Sequence, residues 1–364
     1  MNFKRLGTIG AIAIAGTILL SSCAAGTDSG TEEGTASDLT GTLVGAGASS
    51  QQSAQEAWVA GFQMANGNVS VEYDPIGSGG GRDTFIGGGS QFAGSDRAFK
   101  DEEIAEDNFA PCVPGTGILE IPAYISPIAI IFNLDGIDSL NLDAAAIAGI
   151  FSGQITNWND EAITSQNDGV ELPDLAITAV HRADDSGTTA NFTDYLSAAA
   201  PDVWTVGSIE TWPTEFGGEG APQTSGLVDA VTNGTGTIGY ADASRAGDLG
   251  TVAVKVGDEY VPYSPEAAAA IVDASPLAEG RGETDFAVNI DRTSAESGVY
   301  PVVLLSYLIA CNEYVSSDGV DLVKGYLSYV ISPEGQSTAA EAAGSAPISS
   351  SFYEKAQAAV DAIK

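Results

Sequence analysis

Three short loops in this 364-residue chain are built mostly from Gly, Ser, Thr and Ala, the residue types that hold an anion without spending much charge. The first is Gly45-Ala46-Gly47-Ala48-Ser49-Ser50, the second Gly77-Ser78-Gly79-Gly80-Gly81, and the third Arg182-Ala183-Asp184-Asp185-Ser186-Gly187-Thr188-Thr189. Glycine lets backbone approach a ligand closely, and hydroxyls donate hydrogen bonds without a charge of their own. A helix N-terminus adds unpaired N–H groups and the positive end of a dipole. Arg182 can fork two N–H bonds onto an oxyanion, and Asp184, two residues on, is placed to orient that guanidinium. Nucleotide loops are excluded. Gly-x-Gly-x-x-Gly fails at its last place in the first two loops, and Gly-x-x-x-x-Gly-Lys-[Ser/Thr] occurs nowhere.

Each loop needs an element to aim it. Leu39 to Val44 reads as a strand before the first loop. Val69, Val71 and Tyr73 alternate as a strand before the second, and Leu175 to Val180 is a β-rich run before the third. Ala54, Ala57, Trp58, Gly61 and Phe62 share one face of a helix behind the first loop, as do Phe192, Tyr195, Leu196 and Ala199 behind the third. No helix is expected directly behind the second. Strands interleaved with helices imply an α/β fold with largely parallel sheets. Two long apolar passages, Ile118 to Leu134 (broken twice by proline) and Tyr300 to Ala310, suit a chain that leaves one lobe and later returns.

Composition narrows the function classes. With 44% hydrophobic and 17% charged residues the chain buries a core, and its length suits two domains. Thirteen Lys+Arg against 49 Asp+Glu, a formal charge of −36, argues against nucleic acid and against electrostatic attachment to anionic lipid. An anion is still within reach, because local dipoles and one arginine act at contact while distant carboxylates are screened beyond about 8–10 Å. One histidine and three cysteines leave too little for a structural zinc site. Lys4 and Arg5 precede an uncharged run, Leu6 to Leu20, ending in Leu20-Ser21-Ser22-Cys23. That pattern is a secretory signal over residues 1–22, too short to span a bilayer, where about 20 apolar residues are needed. Its end resembles a bacterial lipobox, which makes Cys23 the acylated first residue of the mature chain and 23–38 a flexible tether. Export to an oxidising compartment leads us to expect a Cys112–Cys311 disulfide rather than two buried thiols.

Gly-Ala-Gly-Ala-Ser at 45–49, Ile-Gly-Ser-Gly-Gly-Gly at 76–81, Phe-Ala-Gly-Ser-Asp at 92–96 and Arg-Ala-Asp-Asp-Ser-Gly-Thr at 182–188 follow one another in that order. With Ile238-Gly239-Tyr240, Tyr300-Pro301 and the lipobox, the sequence resembles the PstS family, the phosphate-binding lipoproteins of bacterial phosphate ABC importers. The resemblance implies a two-lobe periplasmic-binding-protein fold of type II, with two mixed or parallel sheets flanked by helices and a ligand cleft between the lobes. Residues 39–122 and 296–364 are expected in lobe 1, and 123–295 in lobe 2. The implied ligands of phosphate are Ser49, Ser50, Ser78 and Asp96 from one side and Arg182, Ser186, Gly187 and Thr188 from the other, with Asp184 behind Arg182. The implied partners are inorganic phosphate, the membrane permease of an importer and the membrane itself through the lipid anchor. The protein is expected to be extracytoplasmic and monomeric, and not an enzyme, with no cofactor and no metal.

Two departures stand out: the family pattern has Thr-Phe at Ser49-Ser50, and Gly in place of Asp185, a second carboxylate beside an anion site. Asp96 carries selectivity in this reading. A carboxylate beside an anion repels it unless a proton lies between them, so an ionised acceptor favours a protonated oxyanion over sulfate.

Other readings of these residues are less economical. Another tetrahedral oxyanion or a phosphate ester would suit the same donors. A hydrolase with Ser186 as nucleophile and His181 as base lacks a Gly-x-Ser-x-Gly elbow, and nothing resembles a two-metal cluster. His181 is read as a supporting or surface residue, and Trp58 as core; for Trp158, Trp204 and Trp212 the sequence leaves a sugar platform open.

Overall fold

The computed structural model describes residues 38–364, so the signal segment, Cys23 and nearly all of the tether lie outside the described residues. The first part of the chain runs β1 (Gly41–Gly47), α1 (Gln52–Ala65), β2 (Val69–Asp74), α2 (Ser78–Ile86), β3 (Phe92–Ser95) and α3 (Asp101–Ala105) into β4 (Ile118–Phe132). Next come β5 (Ser139–Leu142), α4 (Ala144–Phe151), α5 (Glu161–Thr164), β6 (Thr178–Arg182), α6 (Gly187–Ala199), β7 (Glu219–Ala221) and α7 (Gln223–Asn233). The chain continues through β8 (Thr237–Asp242), β9 (Gly250–Val256), β10 (Glu259–Val261) and α8 (Pro265–Ala274), then β11 (Val303–Cys311), α9 (Val320–Ile331), α10 (Pro333–Ala343) and α11 (Ser350–Asp361).

All 15 positions of β4 are buried, as a near-continuous apolar run requires. Along residues 118–127 it pairs antiparallel with β11; from Ile128 to Phe132 it pairs instead with β8, and at Ile131 and Phe132 with β9 as well. The two expected sheets are therefore joined along one strand, in the order β2-β1-β3-β11-β4-β8-β6-β7. Proline cannot donate to a ladder, and both prolines of β4 stand where the ladder is already interrupted. Pro122 faces the register shift between Ser306 and Tyr307, and Pro127 is the last residue paired with β11. The pairs β1/β2, β1/β3, β6/β8, β6/β7 and β5/β9 are parallel, and the antiparallel pairs mostly involve the two long apolar passages.

Side-chain packing follows the apolar faces. Trp58 and Phe62 of α1 are buried, Trp58 donating from Nε1 to Gly335 O at 2.7 Å. Trp158, Trp204 and Trp212 are buried too, which removes the sugar-platform reading. On α6, Phe192, Tyr195 and Leu196 are buried, but Ala199, at the helix end, is exposed. Cys112 and Cys311 form a disulfide, S–S 2.00 Å and Cα–Cα 5.2 Å, that closes 199 residues of chain. Among the described residues no helix is long and apolar enough to cross a membrane.

Three boundaries differ from expectation. β1 starts at Gly41 and runs on to Gly47, so the first loop begins inside the strand. β6 starts at Thr178 and ends at Arg182, which places the arginine on the strand rather than in the loop. The second loop is itself the first turn of a helix, α2. Gly79-Gly80-Gly81 hid it, since glycine is among the poorest helix formers.

Candidate functional site

Gly81 of the second loop is there because three backbones meet. A Cβ on Gly47 would lie 2.0 Å from Gly94 O, and one on Gly81 would lie 2.3 Å from Gly47 Cα. Gly77, at φ +96°, caps α2 in a conformation that side chains resist. The third loop closes directly on this floor: a Cβ on Gly187 would lie 2.5 Å from Ser78 Oγ and 2.7 Å from Asp96 Cβ. Gly79 N donates to Asp185 O at 3.1 Å across the same seam.

The geometry thus brings together every residue named for the site, from four chain segments. Ser49 and Ser50 begin a 3-10 turn, Ser78 begins α2, and Gly187 and Thr188 begin α6 behind an N-cap, Ser186, whose Oγ accepts from Thr189 N at 3.1 Å. First-turn amides have no partner within a helix, and those of Ser49, Ser50, Ser78, Gly187 and Thr188 find no other partner among the described residues. Their dipoles point the positive end inward.

Arg182 is 2% exposed. Its Nε donates to Asp184 Oδ1 at 2.8 Å and its Nη2 to Asp184 Oδ2, which leaves Nη1 unpaired among the described residues. Gln223 N also donates to Asp184 Oδ1, at 2.8 Å. Burial pushes the Asp184 carboxyl up, but the hydrogen bonds and charge of Arg182 outweigh it and hold the group below the usual carboxylate range. Both Asp184 oxygens are thus paired with the guanidinium. Tyr240 supports the strand end, taking a hydrogen bond from Arg182 N at 3.3 Å and pairing with Thr189 Oγ1 at 2.7 Å.

Asp96 is buried without a direct ionic partner among the described residues. Its Oδ1 accepts from Ser50 Oγ at 2.6 Å and Ser306 Oγ at 2.7 Å, and its Oδ2 accepts from Thr188 Oγ1 at 2.9 Å. Its backbone N–H donates to Ser78 Oγ at 3.1 Å. Burial raises its carboxyl above the ordinary value, while the hydroxyl bonds and Arg182 pull the other way.

Asp185 is not the threat its position suggests: its side chain is exposed and accepts from Thr211 Oγ1 at 2.5 Å. Ser50, where the family pattern has an aromatic residue, spends its hydroxyl on Asp96. No hydrogen bond joins Ser186 to His181, whose Nδ1 lies 2.9 Å from Arg182 O and whose ring stacks on Trp212 at 4.9 Å. Among the described residues no group of three or more His, Cys, Asp or Glu could hold a metal.

Sequence reading missed Thr224, whose hydroxyl lies 3.0 Å from Ser49 Oγ and whose N–H donates to it at 3.2 Å. Thr224 is the second residue of α7, which follows a three-residue strand too short to signal a fourth strand-to-helix loop, and Gln223, which begins the helix, sits at φ +57°. It also missed Ser306, although a lone serine in the apolar passage 300–310 was itself a signal. A second buried arginine, Arg82, donates to Ser95 Oγ at 2.8 Å and pairs with Glu210 at 2.6 Å, across the same seam. A cavity of about 530 Å³ beyond Asp96, lined by Arg97, Asn191, Arg281, Arg292 and Tyr307, touches none of the other named residues.

The chain is similar to known proteins in sequence and in fold. Residues 29–334 match the PBP superfamily domain. The phosphate-binding protein PstS2 of Mycobacterium bovis is 30% identical over 373 residues, covering 100% of both chains. PstS3 of the same species is 32% identical over 377 residues with the same coverage. In overall fold the chain is similar to a high-affinity periplasmic phosphate-binding protein bound with phosphate (TM-score 0.69, 19% identity, 87% of this chain and 93% of that chain). A putative phosphate ABC transporter substrate-binding protein from Clostridium perfringens is similar at TM-score 0.59 and 19% identity over 83% of this chain and 98% of that chain. The chain belongs to the PstS family of phosphate-binding proteins within the PBP superfamily.

Proposed function

We propose that this protein captures inorganic phosphate outside the cytoplasm and delivers it to the permease of an ABC importer, held at the membrane by a lipid on Cys23. The observation that carries the reading is the convergence of three helical starts and one buried arginine on the Asp96 carboxylate. Helical N-termini and a guanidinium are the means by which a protein of net charge −36 holds an anion at contact. In this reading Ser49, Ser50 and Ser78 bind phosphate from residues 39–122 and 296–364, and Arg182, Ser186, Gly187 and Thr188 close over it from 123–295. Asp96 accepts a hydrogen bond from the proton that hydrogen phosphate carries and sulfate lacks. Curated relatives named phosphate-binding proteins over the full length support the ligand.

Calorimetric titration of the purified chain decides it. Phosphate is expected to bind at one site per chain with sulfate far weaker, and absence of phosphate binding would sink the reading. Steady turnover of p-nitrophenyl phosphate would instead make the protein a hydrolase.

A further inference from the structure

Behind Asp96 runs a chain of buried neutral groups whose direction is fixed. Gln51 Nε2 lies 2.5 Å from Ser306 Oγ and 3.2 Å from Tyr307 O. A backbone carbonyl only accepts, so this end of the Gln51 amide is its NH2 and it donates to Ser306 as well. The Gln51 carbonyl end accepts from Gln55 Nε2 at 2.8 Å, and Gln55 Oε1 accepts from Tyr326 OH at 2.6 Å. Every member is buried, Gln51, Ser306 and Tyr326 completely. With its oxygen already accepting from Gln51, the single proton of Ser306 is directed at Asp96 Oδ1, 2.7 Å away.

We infer that Gln51 and Ser306 are positioning residues for anion selectivity: the relay from Tyr326 through Gln55, Gln51 and Ser306 holds Asp96 as an acceptor-only carboxylate. The inference deepens the phosphate reading and rests on it. A hydroxyl that could rotate would be free to accept from a protonated Asp96, and the site would then tolerate a neutral acid that donates to sulfate as readily as to phosphate. A relay of fixed polarity works against that option: Ser306 already accepts from Gln51, and to accept from a protonated Asp96 as well it would have to turn its one proton away from Oδ1. The charged and titratable groups facing Asp96 are Arg182 on β6 and Tyr73 on β2; the elements carrying Ser50, Ser306 and Thr188 bring neutral hydroxyls to its oxygens.

The test uses Ser306→Ala, with Ser306→Thr as the conservative rescue and Gln51→Met as a second break in the relay. The Asp96 carboxyl carbon is followed by NMR through an acid titration, and phosphate and sulfate are titrated at pH 5.5 and 8.5. One lost donor to an ionised group is expected to weaken ionisation about tenfold, moving the Asp96 midpoint up by about one pH unit. Phosphate-over-sulfate preference should narrow by about tenfold at pH 5.5 and less at pH 8.5, with Ser306→Thr close to wild type. An Asp96 midpoint and selectivity unchanged in folded Ser306→Ala overturns the relay. A wild-type chain that bound no phosphate would overturn the functional reading instead, and the NMR midpoint would still decide whether Ser306 holds the carboxylate. If Ser306→Ala fails to fold, the same two readouts on Gln51→Met decide it.

Discussion

Asp184 and Asp96 are the same residue type in one site, and their surroundings push them in opposite directions. Asp184, half-buried, faces a guanidinium and a backbone N–H, and Arg182 holds it ionised below the ordinary range. Asp96 is 2% exposed and, among the described residues, meets three hydroxyls and no cation within hydrogen-bond reach, so burial raises it. The contrast separates two tasks. A carboxylate committed to a cation fixes where that cation's free edge points; a carboxylate solvated by neutral hydroxyls keeps its charge available to a ligand. An anion site that must also discriminate needs one of each.

The ionic corner should break hardest. Arg182→Ala removes both the fork and the charge and leaves Asp184 as an unpaired carboxylate, so phosphate binding should fall by about 3–5 kcal/mol in calorimetry. Arg182→Lys should recover only part, since an ammonium cannot reproduce the fork. Wild-type affinity in the lysine variant would show that the arginine does not bind phosphate directly. Gly77→Ala attacks the same corner through the backbone: its Cβ would stand 2.5 Å from Asp184 Oδ2 at φ +96°. Strain of roughly 1–3 kcal/mol should appear as a lower melting temperature together with weaker phosphate binding. Loss of stability with unchanged affinity would mean that the Asp184–Arg182 geometry tolerates the shift.

These two corners were not equally legible in the sequence. Asp184 was suggested by its spacing, two residues beyond Arg182, and the structure pairs the two side chains. Asp96 could be placed only through the family pattern, and its surroundings were invisible, since Ser306 lies 210 positions away on an antiparallel strand. The α/β class, the disulfide and the helices behind loops one and three followed from periodicity and composition. The helix start in the second loop did not, because Gly81 answers to the close approach of Gly47 and Gly79 to that of Asp185 rather than to helix propensity. Thr224 escaped for a similar reason: tertiary packing rather than local pattern brings α7 to Ser49.

Asp96→Asn should act more gently than the arginine changes and differently on each anion. The amide keeps an acceptor oxygen and loses a negative charge, so phosphate trades a charge-assisted bond for relief from repulsion and should change by only about 1–2 kcal/mol. Sulfate loses only the repulsion and should bind better. Competition titrations showing an unchanged phosphate-to-sulfate ratio would place selectivity elsewhere than at Asp96.

The smallest effect is also the sharpest test of the contrast, because its sign differs between the two residues. Measured without phosphate, stability follows the difference in bound protons between unfolded and folded chains. The Asp96 carboxyl is raised in the fold, so its contribution is fully present below the unfolded value near 3.9 and is lost as pH rises through its folded pKa. The Asp184 carboxyl is lowered, so its contribution is present above that value and is lost as pH falls through its folded pKa. Denaturant unfolding from pH 3 to 7 should therefore show Asp96→Asn gaining on the wild type as pH rises above about 4. Asp184→Asn should fall behind it across the bottom of the same range. If both variants drift in one direction, the two carboxylates share an environment, and the division of labour between a fixed charge and an available one is wrong.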